Sequence, residues 1–151
     1  LVLVASGTGF APMWSIALAA LAEMPDREIV AIVGARTRET FYMAPALKRL
    51  IAFPKTQIAA ILDQGVAGGI VRIGSPADHL PRLSENDIVY AAGAPGMVQA
   101  VSDIARTAGA AFYADPFLPA EPERPDIAAA IRSLATRAVG RVLPQSIRQT
   151  A

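Results

Sequence analysis

The chain has 151 residues, 53% of them hydrophobic and 18% charged, and its 14 basic and 13 acidic residues leave a formal net charge of +1. That length and balance describe one globular domain with a sizeable core, and near-neutrality argues against a broad electrostatic footprint for nucleic acid or an anionic membrane. With no cysteine and a single histidine, His79, the chain offers no disulfide, no cysteine-held zinc or iron–sulfur cluster and no histidine-rich metal site.

Residues 1–5, Leu-Val-Leu-Val-Ala, read as a strand buried on both faces, as in a parallel sheet. Gly7 and Gly9 follow, one residue apart, where a backbone without Cβ atoms can turn sharply and come close to a ligand. Pro12 suits the first turn of a helix, and the Ala/Leu-rich run 13–23 continues it. Strand, glycine loop and helix N-terminus together make an anion-binding arrangement. The spacing is Gly-x-Gly-x-x-Pro, so the ordinary dinucleotide fingerprint fails at its last position, and a merely tight connection is the plain alternative. The first residue lies inside a strand and is not Met, and the expectation is a domain of a longer polypeptide. No apolar run reaches bilayer-spanning length and no basic segment precedes the first one, so no membrane span or leader is read and a cytoplasmic location is expected.

A second strand is expected at 28–33, ending at Gly34-Ala35-Arg36. After a polar loop, a helix at 44–52 presents Leu47, Leu50 and Ile51 at helical spacing, and Pro54 stops it. The third strand, 57–62, closes at Asp63-Gln64-Gly65, and the glycine-rich stretch 65–69 is a loop. Residues 70–73 read as a short extended piece, and Ser75 or Asp78 caps a brief helix holding His79, a surface position rather than a catalytic base. A fourth strand, 87–92, runs into Gly93-Ala94-Pro95-Gly96-Met97 and a helix at 98–108; a fifth, 110–114, ends at Asp115-Pro116-Phe117. A proline- and acid-rich segment, 119–125, then breaks the pattern before a helix at 127–139, capped by Asp126.

Strands alternating with helices at this spacing predict an α/β fold, a doubly wound five-stranded parallel sheet of order 3-2-1-4-5 with helices on both faces. In such a sheet ligands bind beyond the carboxyl ends of strands 1 and 4, where the winding reverses. The glycine loops at 6–12 and 93–97 both fall there. Their coincidence points to a nucleotide site.

Three stretches then carry a resemblance: Gly7-Thr8-Gly9-Phe10-Ala11-Pro12; Gly34-Ala35-Arg36-Thr37-Arg38 with Tyr42 beyond it; and Tyr90-Ala91-Ala92-Gly93-Ala94-Pro95-Gly96-Met97, which is similar to Tyr-x-Cys-Gly-Pro-Pro-x-Met. In that order, over residues 1–117, they resemble the NAD(P)-binding domain of the ferredoxin–NADP reductase superfamily. The resemblance implies NAD(P)H held for hydride transfer to FAD. It also implies an FAD-binding domain of the same polypeptide, amino-terminal to this chain, and an electron acceptor such as an iron–sulfur protein or domain, with no nucleic acid or membrane partner. Residues 1–118 would form the nucleotide domain, and 119–151 a helical extension packed on it or extending from it.

Carried over by that resemblance, Thr8 and Gly9 face the nicotinamide and pyrophosphate within the loop Gly7, Thr8, Gly9, Phe10, Ala11 and Pro12. Ala92, Gly93, Ala94 and Pro95 form the opposite wall, and Phe117 approaches the flavin. No residue of the chain is assigned a catalytic role, and Met97 reads as core. Two departures stand out: Ser6 occupies a position where the family usually has glycine, and Ala92 replaces the cysteine beside the nicotinamide. Arg36 after the second strand would attract a 2′-phosphate, whereas Asp63 after the third would repel it and accept from a ribose hydroxyl, which tips the reading toward NADH. The competing reading is a regulatory or docking module that keeps the fold and the nucleotide but not hydride transfer, with Ala92 as its support. A methyltransferase is disfavoured because no acid ends the second strand, and a short-chain dehydrogenase because no Tyr-x-x-x-Lys pair is present.

Overall fold

The structure, a computed structural model, describes residues 1–117; the helix expected at 127–139 and the residues around it lie outside the described residues. The described residues form six strands and three α-helices, in the order β1 (Val2–Ser6), α1 (Phe10–Glu23), β2 (Ile29–Ala35), α2 (Ala44–Leu50), β3 (Thr56–Leu62), β4 (Val71–Ile73), β5 (Ile88–Gly93), α3 (Pro95–Ala108) and β6 (Ala111–Pro116). All pair in parallel, in the order β4-β3-β2-β1-β5-β6. The five expected strands keep their expected order as β3-β2-β1-β5-β6. The sheet gains a sixth at its edge, where Val71, Arg72 and Ile73 pair with Ala60, Ile61 and Leu62. A reciprocal pair of 3.0 Å bonds between Gly68 and Val71 turns the chain into it. It is the short extended piece expected at 70–73, and three residues paired along one side carry too little periodic signal to be counted as a strand of the sheet.

Alternation along β1 divides the core. Leu3 and Ala5 face α1 and α2, joining Phe10, Met13, Ala17 and Leu21 of the first helix and Ala46, Leu47 and Leu50 of the second. Val2 and Val4 face the opposite side, with Met97, Val98, Val101 and Ala105 of α3. Residues 2–5 are all buried, as a central strand covered on both faces requires. Ile51 departs from its expected place in the buried stripe of α2: the helix stops at Leu50, a tighter turn brings the Ala52 N–H onto the Arg49 carbonyl at 3.2 Å, and Ile51 is exposed. Trp14 of α1 has the Arg49 guanidinium 5.9 Å above its ring, a cation–π contact joining the two helices.

Two helices begin earlier than their glycine and proline punctuation suggests. A 3₁₀ turn over Gly7–Gly9 runs straight into α1 at Phe10, and α3 opens with Pro95 at its first position, where proline is preorganised. Gly109, at φ 72°, closes α3 in the left-handed conformation that favours glycine. On the edge strand, Phe112 packs against the α3-side core, while Tyr113 stacks on Tyr90 with ring centroids 4.9 Å apart and planes 19° from parallel.

The single turn at Pro76–His79 uses both of its candidate caps: the Ser75 hydroxyl accepts the Ala77 N–H at 3.4 Å, and the Asp78 carboxylate accepts the Ser75 N–H at 3.1 Å. His79 Nε2 lies 3.0 Å from the Ile73 carbonyl oxygen, which ties it to the β4 edge and away from the winding reversal.

Candidate functional site

The sheet reverses its winding at β1, which lies between β2 and β5. The loops leaving β1 and β5 interlock there. A Cβ placed on Gly9 would strike the backbone of the neighbouring strand end, 2.5 Å from the Ala92 carbonyl carbon and 2.9 Å from the Gly93 nitrogen, and would strike the Ala92 carbonyl oxygen as well. A Cβ on Gly93 would fall 2.5 Å from the Ser6 carbonyl oxygen, and Gly93 also has φ +126°. Each loop therefore lies where the other's side chain would be. One polar bond pins the crossing: the Ala94 N–H donates to Ser6 Oγ at 2.8 Å. The Phe117 N–H donates to the Gly93 carbonyl at 2.8 Å and extends the sheet ladder past the same loop.

Beside this crossing lies a cleft of about 400 Å³. The carboxyl ends of four strands meet in its lining: Ser6, Gly7 and Thr8 from β1, Ala35 and Arg36 from β2, Asp63 from β3 and Ala94 from β5. Gly7, at φ +55°, has nothing within 4 Å of where its Cβ would stand, so its backbone is open to a ligand. Asp63 and Arg36 come side by side because the ladder continues beyond the strands, with the Asp63 N–H on the Ala35 carbonyl at 3.1 Å and the Gln64 N–H on the Arg36 carbonyl at 3.2 Å. Among the described residues the one ion pair is Arg106–Asp103 on α3, so the charges of Arg36 and Asp63 are both uncommitted. Glu39, on the turn before the cleft-lining Thr40, is held below the ordinary carboxylate range by the Thr37 side chain and its own backbone N–H.

Of the residues singled out from the sequence, the cleft collects Gly7, Thr8, Arg36, Asp63 and Ala94. Phe10 and Ala92 differ from the expectation of wall residues: both side chains are buried in the α1-side core, at 1% and 0% exposure, and neither presents surface to the cleft. Gly9 and Gly93 are also buried, at the crossing itself. Ala11 and Pro12 are half-buried in the first turn of α1, Pro95 is exposed at the start of α3, and Phe117, exposed, follows β6. Gly34, Ala35, Thr40 and Pro76 line the cleft without having been singled out for it. For Gly34 a signal existed, since a glycine inside a strand marks a close approach; here its absent Cβ admits the Pro76 ring, whose Cγ would lie 2.6 Å from it.

The arrangement offers open backbone, one hydroxyl-bearing side chain at each of Ser6, Thr8 and Thr40, and one free charge of each sign. That suits an anionic, hydroxyl-rich ligand such as a dinucleotide. Among the described residues no group of three or more His, Cys, Asp or Glu side chains is placed to hold a metal ion, and no helix is long and apolar enough to cross a membrane.

The family model for the oxidoreductase NAD-binding domain matches residues 3–103, a span that contains both interlocked loops and all of the cleft. This chain belongs to that family. It is the nucleotide domain of the ferredoxin–NADP reductase superfamily. The NAD-binding domain is 31% identical, over 127 residues, to the ferredoxin–NAD(P)(+) reductase component of a naphthalene 1,2-dioxygenase system from Pseudomonas putida, covering 77% of this chain and 38% of that protein. It is 33% identical, over 126 residues, to reductase component 1 of a terephthalate 1,2-dioxygenase from a Comamonas species, covering 78% of this chain and 37% of that protein. The chain thus spans less than two-fifths of the length of these relatives. Among solved structures it superposes on an Amycolatopsis cytochrome P450 reductase with a TM-score of 0.69 at 26% identity, covering 80% of this chain and 38% of that one. The FAD/NAD-binding domain of a nitric oxide dioxygenase from Vibrio cholerae shares the fold, with a TM-score of 0.64 at 21% identity, covering 78% of this chain and 51% of that one.

Proposed function

We propose that this NAD-binding domain holds NAD(P)H so that its nicotinamide meets the flavin of an FAD-binding domain in the same polypeptide, from which electrons pass to an acceptor such as an iron–sulfur protein or domain. The observation that carries this reading is the pair of glycine loops interlocked at the winding reversal, beside a cleft that offers open backbone at Gly7. The bound cofactors supply the redox chemistry, with the nicotinamide giving a hydride that the flavin accepts. The chain's own residues bind and orient. Gly7 and Thr8 receive the pyrophosphate and nicotinamide ribose on exposed backbone, Ala94 and Pro95 bound the far side, and Phe117 lies beyond β6 toward the flavin. Gly9, Phe10 and Ala92 act from within the core, by fixing where the loop backbone lies. We assign residues 1–118 to this domain.

At the adenosine end we assign Asp63 to a ribose hydroxyl and Arg36 to the solvent side of the same group, which favours NADH over NADPH. Parallel calorimetric titrations of the chain with NADH and NADPH test the reading. Saturable binding, tighter for NADH, is the expected result. Failure of both nucleotides to bind the polypeptide that includes the flavin domain would overturn it.

Ala92 supports a second reading, a module that binds nucleotide without hydride transfer. Its methyl group is fully buried and supplies no polar atom where the family's cysteine would stand. Reduction of the flavin by NADH in the full polypeptide separates the two: the first reading requires turnover, and the second predicts binding without it.

A further inference from the structure

Ser6 is the departure from glycine in the loop, and the structure gives its hydroxyl a position between two elements. It stands at the last residue of β1, in register with Gly34 of β2 on one side, and Oγ reaches the other way to accept the Ala94 N–H at 2.8 Å. Ala94 is the N-cap of α3 and has no side-chain cap of its own, so this donor at the helix start is satisfied from across the sheet. A hydroxyl carries a proton as well as acceptor lone pairs. Among the described residues no acceptor takes the Ser6 proton, and Ser6 lines the cleft beside Gly7, Thr8 and Ala94.

We propose that Ser6 is a two-sided positioning and binding residue: Oγ holds the β5–α3 loop through the Ala94 N–H while its own proton is donated to an oxygen of the bound nucleotide. This rests on the nucleotide reading above and adds to it a contact that a glycine at this position cannot make. Gly7 leaves the approach open, since nothing lies within 4 Å of its Cβ position. The donation also gives the hydroxyl its second partner without disturbing the first. Ser6 thereby links occupancy of the cleft to the spacing of the two loops that bound it.

Two single variants of the chain test the inference by NADH titration, with amide hydrogen exchange measured in parallel. Ser6→Ala removes both bonds, and Ser6→Gly repeats the measurement with a residue the turn accepts, should Ser6→Ala fold poorly. The Phe117 N–H, bonded to the Gly93 carbonyl at 2.8 Å, reports whether the loop keeps its place. Either variant is expected to weaken NADH binding about five- to tenfold, the value of one neutral hydrogen bond to the ligand with its share of loop positioning. Exchange of the Phe117 N–H in the free chain is expected to stay within about threefold of the parent, because the β5–β6 ladder still holds Gly93. A loss of affinity matched by an equal rise in that exchange would reduce Ser6 to a structural staple and overturn the donation, as would unchanged affinity in Ser6→Ala and Ser6→Gly. Absence of binding by the unsubstituted chain and by the flavin-containing polypeptide would instead remove the nucleotide reading, and this inference with it.

Discussion

Gly9→Ala isolates the crossing of the two loops. Gly9 has φ −58° and ψ −14°, ordinary right-handed helical angles, so alanine meets no backbone strain there. The cost comes from space alone. The new methyl would fall on the Ala92 carbonyl group, 2.5 Å from its carbon, and 2.9 Å from the Gly93 nitrogen. Those atoms belong to the end of a buried strand hydrogen-bonded to β1 and β6, and they cannot swing aside as the tip of a side chain can. Overpacking of this kind costs about 3 kcal/mol, the upper part of the usual range. Gly7→Ala is the matched control: it meets φ +55° with nothing within 4 Å, and the left-handed backbone alone costs about 1 kcal/mol. Thermal unfolding followed by the fluorescence of half-buried Trp14 measures both. Gly9→Ala should lower the thermal midpoint by roughly 10 °C and Gly7→Ala by about a third of that. Gly9→Ala should also abolish NADH binding by parting the loops. A Gly9→Ala protein as stable as the parent, or less perturbed than Gly7→Ala, would refute the interlock.

Gly96→Ala should do the reverse, raising stability by about 0.5–1 kcal/mol, because its added methyl meets nothing within 4 Å in the first turn of α3; a lower unfolding midpoint would contradict that. Asp63→Asn should shift the ratio of NADPH to NADH affinity toward NADPH by about tenfold, through loss of a repulsion of roughly 1–2 kcal/mol at contact range in water. Titrations with both nucleotides check it, and an unchanged ratio removes Asp63 from the adenosine end. Tyr113→Ala should cost about 0.5–1 kcal/mol through its stack on Tyr90 and leave NADH affinity within about twofold, since Tyr113 does not line the cleft.

The parallel sheet was legible because its signal is coarse. Apolar runs at 1–5, 28–33, 57–62, 87–92 and 110–114 alternate with helical stretches, and each run needed only to be found, not bounded. What escaped was short or lay at an edge. β4 was read as an extended piece but not as part of the sheet, since it offers three residues paired on one side. The start of α1 was hidden because a 3₁₀ turn, which glycine permits, leads into it where punctuation suggests a loop. Ile51 carried the right spacing but sits one residue past the point where α2 tightens and ends. Helix spacing describes which residues share a face while the helix lasts; where it stops depends on contacts the spacing does not contain.

The site divides along the same line. Arg36 and Asp63 were recoverable because the residue after a strand in a parallel sheet lies at its carboxyl edge, and a common edge brings such residues together whatever their separation in sequence. The glycines were recoverable as positions but not as reasons. Gly7 is required by its positive φ and leaves open space toward the cleft; Gly9 is required by the backbone of β5; Gly93 is required by its positive φ and by Ser6. A motif read as a cradle for a ligand is thus, at two of its three glycines, a device by which two loops fit through each other. Phe10 and Ala92 belong to that device, since both side chains anchor it in the α1-side core. Substitution at Gly9 therefore removes binding by unmaking the site, whereas substitution at Ser6 or Asp63 changes what an intact site can grip. Stability and affinity measured on the same variants tell the two apart, because the first kind moves both and the second moves affinity further than stability.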